Sequence, residues 1–363
     1  MGKTLIEKVE NVYATHVKLE EGLPLVLSLW NLHTLMFQKF LITCYLWIHS
    51  PVRQCGKTTL CKILHDLSAN AHFTVGISRA ALYRIIEAQE PTLIMDEAEG
   101  VMNDREMLAL INAGYSRATG TVIRAYKDGL RSYRVFCPKI IASIQPVPHT
   151  IVDRSIKIEL QRLLETDRVI PLHEDDESLG KDLLPEMHEW VCSHRDEIAR
   201  TYRSRDLHIG SLYARQADIW RPLFAIGQVL CPGRLGELQA TAVRLTSEKS
   251  RFEQETSLEI TLLRNCREVW ASLGNPAKLP TEGLLTGLAS LPESPWLQLT
   301  ALELSRKLLP FGIRPAQHWI GGRNFRGYAR ADFQDAFARY LSEPAEPSGK
   351  PARGPRPALE EAV

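Results

Sequence analysis

The chain has 363 residues, 44% hydrophobic and 24% charged, enough for two or three packed domains. Lys and Arg total 44 against 43 Asp and Glu, which excludes a uniformly basic nucleic-acid coat, so any polyanion contact must be a local patch. The seven cysteines form no C-x-x-C pair, and no signal-peptide pattern opens the chain, so a zinc site is not expected and a reducing, cytoplasmic compartment is.

Residues 4–43 read as helical with a break at Gly22-Leu23-Pro24. The most apolar stretch, 24–48, carries His33, Gln38 and Lys39 and therefore reads as a buried helix plus strand, not a membrane span. His33 reads as a satisfied core histidine without a role. Cys44-Tyr45-Leu46-Trp47-Ile48 is a buried strand, and Leu60–Leu67 has helical apolar spacing.

Between them lies Ser50-Pro51-Val52-Arg53-Gln54-Cys55-Gly56-Lys57-Thr58-Thr59. Strand, loop, Gly-Lys-Thr and helix form the setting in which backbone N–H groups and a helix N-terminus wrap phosphates. Ser50, Pro51, Gln54, Cys55, Gly56, Lys57, Thr58 and Thr59 are the candidate ATP-binding residues. Lys57 would reach the β and γ phosphates, and Thr58 would hold Mg²⁺. Pro51 stands where the full phosphate-loop pattern has Gly; it fixes φ and removes a donor, so the loop must start differently.

Phe73–Ile77 reads as a second strand, and Ser78 as the N-cap of a helix from Arg79 to Glu87. Pro91-Thr92-Leu93-Ile94-Met95 then runs as an apolar strand into Asp96 and Glu97. A nucleotide hydrolase needs that ending: Asp96 for Mg²⁺ through water, and Glu97 to polarise the attacking water. A helix is expected from Asp104 to Ala113. Strands Thr121–Tyr126 and Leu130–Phe136 flank Lys127-Asp128-Gly129, a hairpin turn signal. Ile140–Ile144 is another buried strand, ending at Gln145, where ring-forming nucleotide hydrolases place a γ-phosphate sensor. Asp153-Arg154-Ser155 leads into a strand Ile156–Leu160.

From Leu163 to about Glu255 the chain reads mostly helical, with a solvated acidic run Glu174–Glu177. The expected organisation is a nucleotide core over 1–162, a helical lid over 163–255, and a third unit over 262–341. That unit has helices followed by a Gly-tipped hairpin, the pattern of a winged helix. A Pro-, Ala- and Gly-rich tail, 343–363, is expected to be disordered.

These residues resemble the phage- and plasmid-associated P-loop ATPase domains, of otherwise uncharacterised function, that follow primase modules in helicase-like replication proteins. The resemblance spans nearly the whole chain. It rests on Leu29-Trp30 with His33-Thr34, on Ser50-Pro51 before Cys55-Gly56-Lys57-Thr58-Thr59, and on Ile77-Ser78 with Ala80-Ala81-Leu82. It continues through Asp96-Glu97-Ala98, Asn112-Ala113-Gly114, Asp153-Arg154-Ser155, Ala217-Asp218 with Trp220 and Pro222-Leu223, and Gly327-Tyr328 with Arg339-Tyr340-Leu341. Ser-Pro before the loop looks typical of that family; Gln54, where relatives tend to carry Gly, departs from it. The resemblance implies an ATPase working on DNA, with no primase module in this chain.

Further candidates follow. Arg154 is read as a finger that stabilises γ-phosphate charge, commonly from a neighbouring subunit; the alternative is a salt bridge with Asp153. Arg215 is read either as a lid sensor reaching the phosphates or as a surface arginine. Arg124, Lys127 and Arg131 make the hairpin cationic, either for phosphate contacts in a pore or as a solvated hairpin. Arg323 and Arg326 mark the hairpin of the third unit, as a duplex binder or a protein-docking module.

The expected protein is an α/β, Mg²⁺-dependent ATPase with a parallel-sheet P-loop core, acting on DNA as a motor of a mobile element or phage-related system, as a homo-oligomer and possibly a ring, away from membranes. An assembly switch without unwinding and a non-hydrolysing DNA-binding adaptor are the alternatives.

Overall fold

The computed structural model describes residues 4–74, 76–127, 129–172, 182–256, 258–292, 294–320 and 323–341. The acidic run at 174–177 and the tail from 343 lie outside them. The chain divides into two compact units, Met1–Ser250 and Arg251–Val363.

In the first unit the elements are α1 (Leu5–His16), α2 (Leu23–Thr34), β1 (Tyr45–His49), α3 (Lys57–Asp66), β2 (Ala71–Thr74), α4 (Arg79–Gln89), β3 (Thr92–Met95), α5 (Glu99–Met102) and α6 (Arg105–Ala113). They continue with β4 (Thr121–Tyr126), β5 (Gly129–Arg134), β6 (Lys139–Ser143), α7 (His149–Val152), β7 (Ser155–Glu159), α8 (Leu183–Arg203), α9 (Ala214–Leu230) and α10 (Leu235–Thr256).

Five strands form one sheet in the order β2-β3-β6-β1-β7. Every pairing in it is parallel. Strands β1, β3 and β6 are buried at every residue, as expected for a parallel sheet covered on both faces, whose strands read as unbroken apolar runs. The covering helices have clear local causes. Thr4 and Glu7 make a capping box at α1, and Ser78 and Asp104 cap α4 and α6 through side-chain oxygens. In α2, Leu, Val and Trp occupy all faces and almost every side chain is buried.

Three sequence expectations change. The expected break at Gly22-Leu23-Pro24 is present, with Gly22 at φ 79° and Pro24 in the first turn of α2; what changes is the stretch after Thr34, where a short 3₁₀ turn at Phe37–Lys39 replaces continued helix. The second strand is Ala71–Thr74 instead of Phe73–Ile77, since its register matches Ala71 to Thr92 and Thr74 to Met95. His33 is fully buried and stacks on Phe40 at 5.5 Å, but neither ring nitrogen has a hydrogen-bond partner. It is therefore not a satisfied core histidine, and burial pushes its pKa down to about 3, keeping it neutral.

The second unit contains α11 (Leu258–Ser272), β8 (Lys278–Pro280), α12 (Thr281–Ala289), α13 (Ala301–Leu308), β9 (Ala316–Ile320), β10 (Arg323–Ala329) and α14 (Ala331–Tyr340). Its three strands are antiparallel, in the order β8-β10-β9. Trp270, Leu284, Leu304, Leu308, Tyr328 and Phe333 form its core. Thr300 and Glu303 make a capping box on α13. Among the described residues no helix is long and apolar enough to cross a membrane.

Candidate functional site

Because β6 lies between β1 and β3, the loop after β1, the acids after β3 and the residue after β6 all emerge at the carboxyl edge of one sheet, where open α/β sheets bind ligands. They line a single cavity of about 1060 Å³, which includes Gln54, Cys55, Gly56, Lys57, Thr58, Thr59, Asp96, Glu97, Glu99 and Gln145.

Gly56 takes φ 83° and starts α3 without a side-chain cap, so the first N–H groups of the helix are left for a ligand. Gln54 also has positive φ, 64°, a conformation that favours glycine. Its Oε1 accepts from Arg162 Nη2 at 3.2 Å. Ser50 is buried behind the loop; its Oγ accepts from Lys57 Nζ at 2.6 Å and donates to the Val52 carbonyl at 2.8 Å. Ser50 thus positions the lysine, while Pro51 is exposed at the loop's start.

Asp96 is half-buried and Glu97 exposed. Glu97 sits at φ 53°, and Asp96 Oδ1 accepts its N–H at 3.0 Å. A non-glycine residue in the left-handed region carries local strain; here the adjacent carboxylate fixes the turn that aims the second acid at the cavity.

Sequence reasoning missed Glu99. Its Oε1 accepts the N–H of Ile144 at 2.6 Å and of Gln145 at 3.2 Å, tying the first turn after β3 to the end of β6. Burial opposes its charge, but these N–H groups, its own N–H and the Lys57 charge hold the carboxyl below its usual range. The available signal was the third acid in Asp96-Glu97-Ala98-Glu99.

Two expected phosphate contacts are elsewhere in this chain. Arg154 Nη1 donates to the Thr150 carbonyl at 2.5 Å, and its guanidinium lies 5.5 Å from the Tyr115 ring centre. Arg215 pairs with Asp153. Neither lines the cavity.

The β4–β5 hairpin is two-faced. Its antiparallel register sets Arg124 opposite Arg131 and Val122 opposite Tyr133 on one face. Arg124 lies 5.4 Å from the Tyr83 ring centre, and Arg131 lies 5.0 Å from that of Tyr126, so aromatic faces offset the repulsion of like charges. Hydrogen bonds with Tyr133, Tyr83 and Arg84 pull the Tyr126 hydroxyl down to about 8. The opposite face exposes Ile123 and Leu130, and Lys127 is exposed at the turn. In the second unit, Arg326 is exposed on β10; Arg323 begins that strand, and its side chain lies outside the described residues.

No curated protein matches the sequence. A solved apo structure of the NrS-1 C-terminal region, in its A form, is 11% identical, covering 90% of this chain and 73% of its own, with a TM-score of 0.44. A JCV helicase with a bound phenoxyphenylacetamide is 15% identical over 75% of this chain and 66% of its own, at a TM-score of 0.30. A further JCV helicase structure is 12% identical over 75% and 65%, at 0.29. The chain thus spans about two thirds of the JCV helicase chains. A family of proteins of unknown function, DUF3631, matches residues 159–340, just over half of the chain, from the end of β7 through α14, and the chain belongs to that family.

Proposed function

We propose that the protein is a Mg²⁺-dependent ATPase that acts on DNA. The observation that carries this reading is the convergence of Lys57, Thr58, Asp96, Glu97 and Gln145 on one cavity at the carboxyl edge of a parallel sheet. The α3 N-terminus and Lys57, held by Ser50, bind the β and γ phosphates. Thr58 and Asp96 suit Mg²⁺, which takes one carboxylate, a hydroxyl and phosphate oxygens and does not need a protein-only cage. When bound, the ion neutralises charge on the transferring phosphoryl group. Glu97 accepts a proton from the attacking water, and Gln145 orients the γ-phosphate end.

The DNA part of the reading rests on the cationic hairpin with Arg124, Lys127 and Arg131 and on the antiparallel hairpin carrying Arg323 and Arg326. The second unit is read as winged-helix-like, and α8–α10 as the lid. Arg154 is held by Thr150 and Tyr115 away from its own cavity, so as a finger it serves a neighbouring copy in a homo-oligomer.

The test is ATP turnover and nucleotide binding, each measured with and without single- and double-stranded DNA. Lys57→Ala should lose nucleotide binding. Glu97→Gln should keep binding and lose turnover by about 100-fold or more, the usual weight of a general base. Equal turnover in Glu97→Gln and the parent removes Glu97 from the mechanism, and no turnover in the parent removes the ATPase reading.

A further inference from the structure

The second unit displays a tryptophan that its fold does not use. Five of the chain's seven tryptophans, Trp30, Trp47, Trp220, Trp270 and Trp296, are almost fully buried. Trp190 is half-buried and stacked on His194 at 4.4 Å. Trp319 is 66% exposed. It lies on β9 directly opposite Asn324 of β10, and Gln317 lies directly opposite Arg326. Opposed residues of an antiparallel pair share a face, and residues two apart on one strand share it too. Gln317, Trp319, Asn324 and Arg326 therefore form one face, and all four are exposed.

The chemistry of that face is specific. It offers one large π-surface, two amides and a guanidinium, with no aliphatic side chain among the four. Neither β9 (Ala-Gln-His-Trp-Ile) nor β10 (Arg-Asn-Phe-Arg-Gly-Tyr-Ala) contains an acid. From 301 to 341, Arg306, Lys307, Arg314, Arg323, Arg326, Arg330 and Arg339 face only Glu303, Asp332 and Asp335. A protein-docking hot spot would surround its tryptophan with apolar contacts that exclude water. An aromatic ring beside cations and amide donors suits a polyanion with flat, stackable bases.

We propose that Trp319 is a base-stacking residue and that this hairpin face binds unpaired nucleotides, with Arg326 on the adjoining phosphate and Gln317 and Asn324 within reach of base edges. Base faces inside a duplex are covered by their neighbours, so a tryptophan standing out from a strand finds a partner only in a single strand or at an opened end. The face is thereby a single-strand or junction contact, in place of the duplex contact that a basic hairpin alone suggests. Stacking tolerates every base, so little sequence preference is expected. This deepens the DNA part of the proposed function and does not depend on nucleotide hydrolysis.

The experiment uses the full chain without nucleotide. Affinity for a labelled oligo(dT) and for a duplex of equal length is measured across salt concentrations for the parent, Trp319→Ala, Trp319→Phe and Arg326→Ala. Loss of one stacked base should weaken oligo(dT) binding by about 5- to 100-fold, leave duplex binding within about twofold, and keep the salt slope. Trp319→Phe should restore most of the loss. Arg326→Ala should reduce the salt slope by about one unit. Oligo(dT) should also quench an emission component of the parent that Trp319→Ala lacks. An exposed side chain can be removed without unfolding, and unchanged thermal melting checks this. Unaltered oligo(dT) affinity in Trp319→Ala overturns the proposal. So does an equal loss on both DNA forms, and so does a change in self-association without a change in DNA binding, which would make the face a protein contact. A parent that hydrolyses no ATP yet shows the Trp319-dependent binding would remove the ATPase reading and leave this one standing.

Discussion

The two edges of the five-stranded sheet each hold a lysine, and they use it in opposite ways. At the carboxyl edge Lys57 is half-buried, tethered by Ser50 Oγ, and faces a cavity it shares with Asp96, Glu97 and Glu99. At the amino edge of β6, Lys139 is fully buried. Its amine donates to the Cys137 carbonyl at 3.0 Å, the Val135 carbonyl at 3.3 Å and Cys137 Sγ at 3.3 Å, and lies 4.9 Å from the Tyr45 ring centre. No acid pairs with it among the described residues, and burial lowers its pKa. The open edge keeps its cation in reach of a ligand. The closed edge spends its hydrogen-bonding capacity on the protein itself. The comparison teaches that charge type alone does not mark a site; hydration and the availability of a partner do.

The largest effect on stability should come from the closed edge. Lys139→Ala leaves a cavity in a packed core and should cost about 2–4 kcal/mol in denaturant unfolding. Lys139→Met keeps the volume and removes the amine, so it should lie within about 1.5 kcal/mol of the parent or above it. The sign of the pH dependence follows from the lowered pKa. Below the ordinary value of 10.5 the unfolded chain binds a proton that the folded chain holds less well. Between the lowered folded-state pKa and that value, stability relative to Lys139→Met should therefore rise with pH, by at most about 1.4 kcal/mol per unit. A parallel pH course in the two proteins would mean that Lys139 is not desolvated. Lys57→Ala, by contrast, should leave stability within about 0.5 kcal/mol.

A smaller effect, on turnover, should come from Glu99. Removing an acceptor of two N–H groups in Glu99→Ala frees the end of β6 and lets Gln145 drift. We expect ATP turnover to fall by about tenfold, one hydrogen bond's worth to a charged acceptor, with nucleotide affinity kept. Glu99→Gln retains an acceptor oxygen and should recover part of the loss. Parent-like turnover in Glu99→Ala would show that Gln145 needs no such support.

The smallest effect should be at Gln54, where the open edge stores strain. Gln54→Gly removes the cost of φ 64° but loses the acceptor for Arg162 and adds freedom to the unfolded chain, so the net change in melting should be within about 1 kcal/mol in either direction. A loss well beyond that would place the Arg162 contact above the backbone strain.

Much of this was legible before any coordinates. The apolar runs at 44–48, 91–95 and 140–144, each ending in polar residues, specify strands of a covered parallel sheet, and β1, β3 and β6 lie within a residue or two of them. Ser78 and Asp104 announce helix starts, and Lys127-Asp128-Gly129 announces a hairpin. These signals are local: caps, turns and periodicity act within a few residues, so a single sequence contains them.

What lay between distant residues was decided by tertiary structure. Strand order is a long-range choice, and only the insertion of β6 between β1 and β3 brings residue 145 to the loop and gives Glu99 its two N–H donors. Arg215 read as a possible phosphate contact, yet it pairs with Asp153 and does not line the cavity. Arg124 and Arg131 read as a cationic hairpin; Arg131 rests on Tyr126 of the hairpin itself, but that Arg124 would rest on Tyr83 depended on α4 packing against the hairpin. His33 read as satisfied because most buried polar groups are, and the burial that removed its partners comes from Trp30 and Phe40 folding around it. The sequence by itself determined most of the elements, though not the bounds of β2, and the order of loop and acids along the chain, because these depend on neighbours along the chain. The tertiary structure decided which of the remaining charges meet, because Coulomb pairing, desolvation and stacking act on distances that only packing sets.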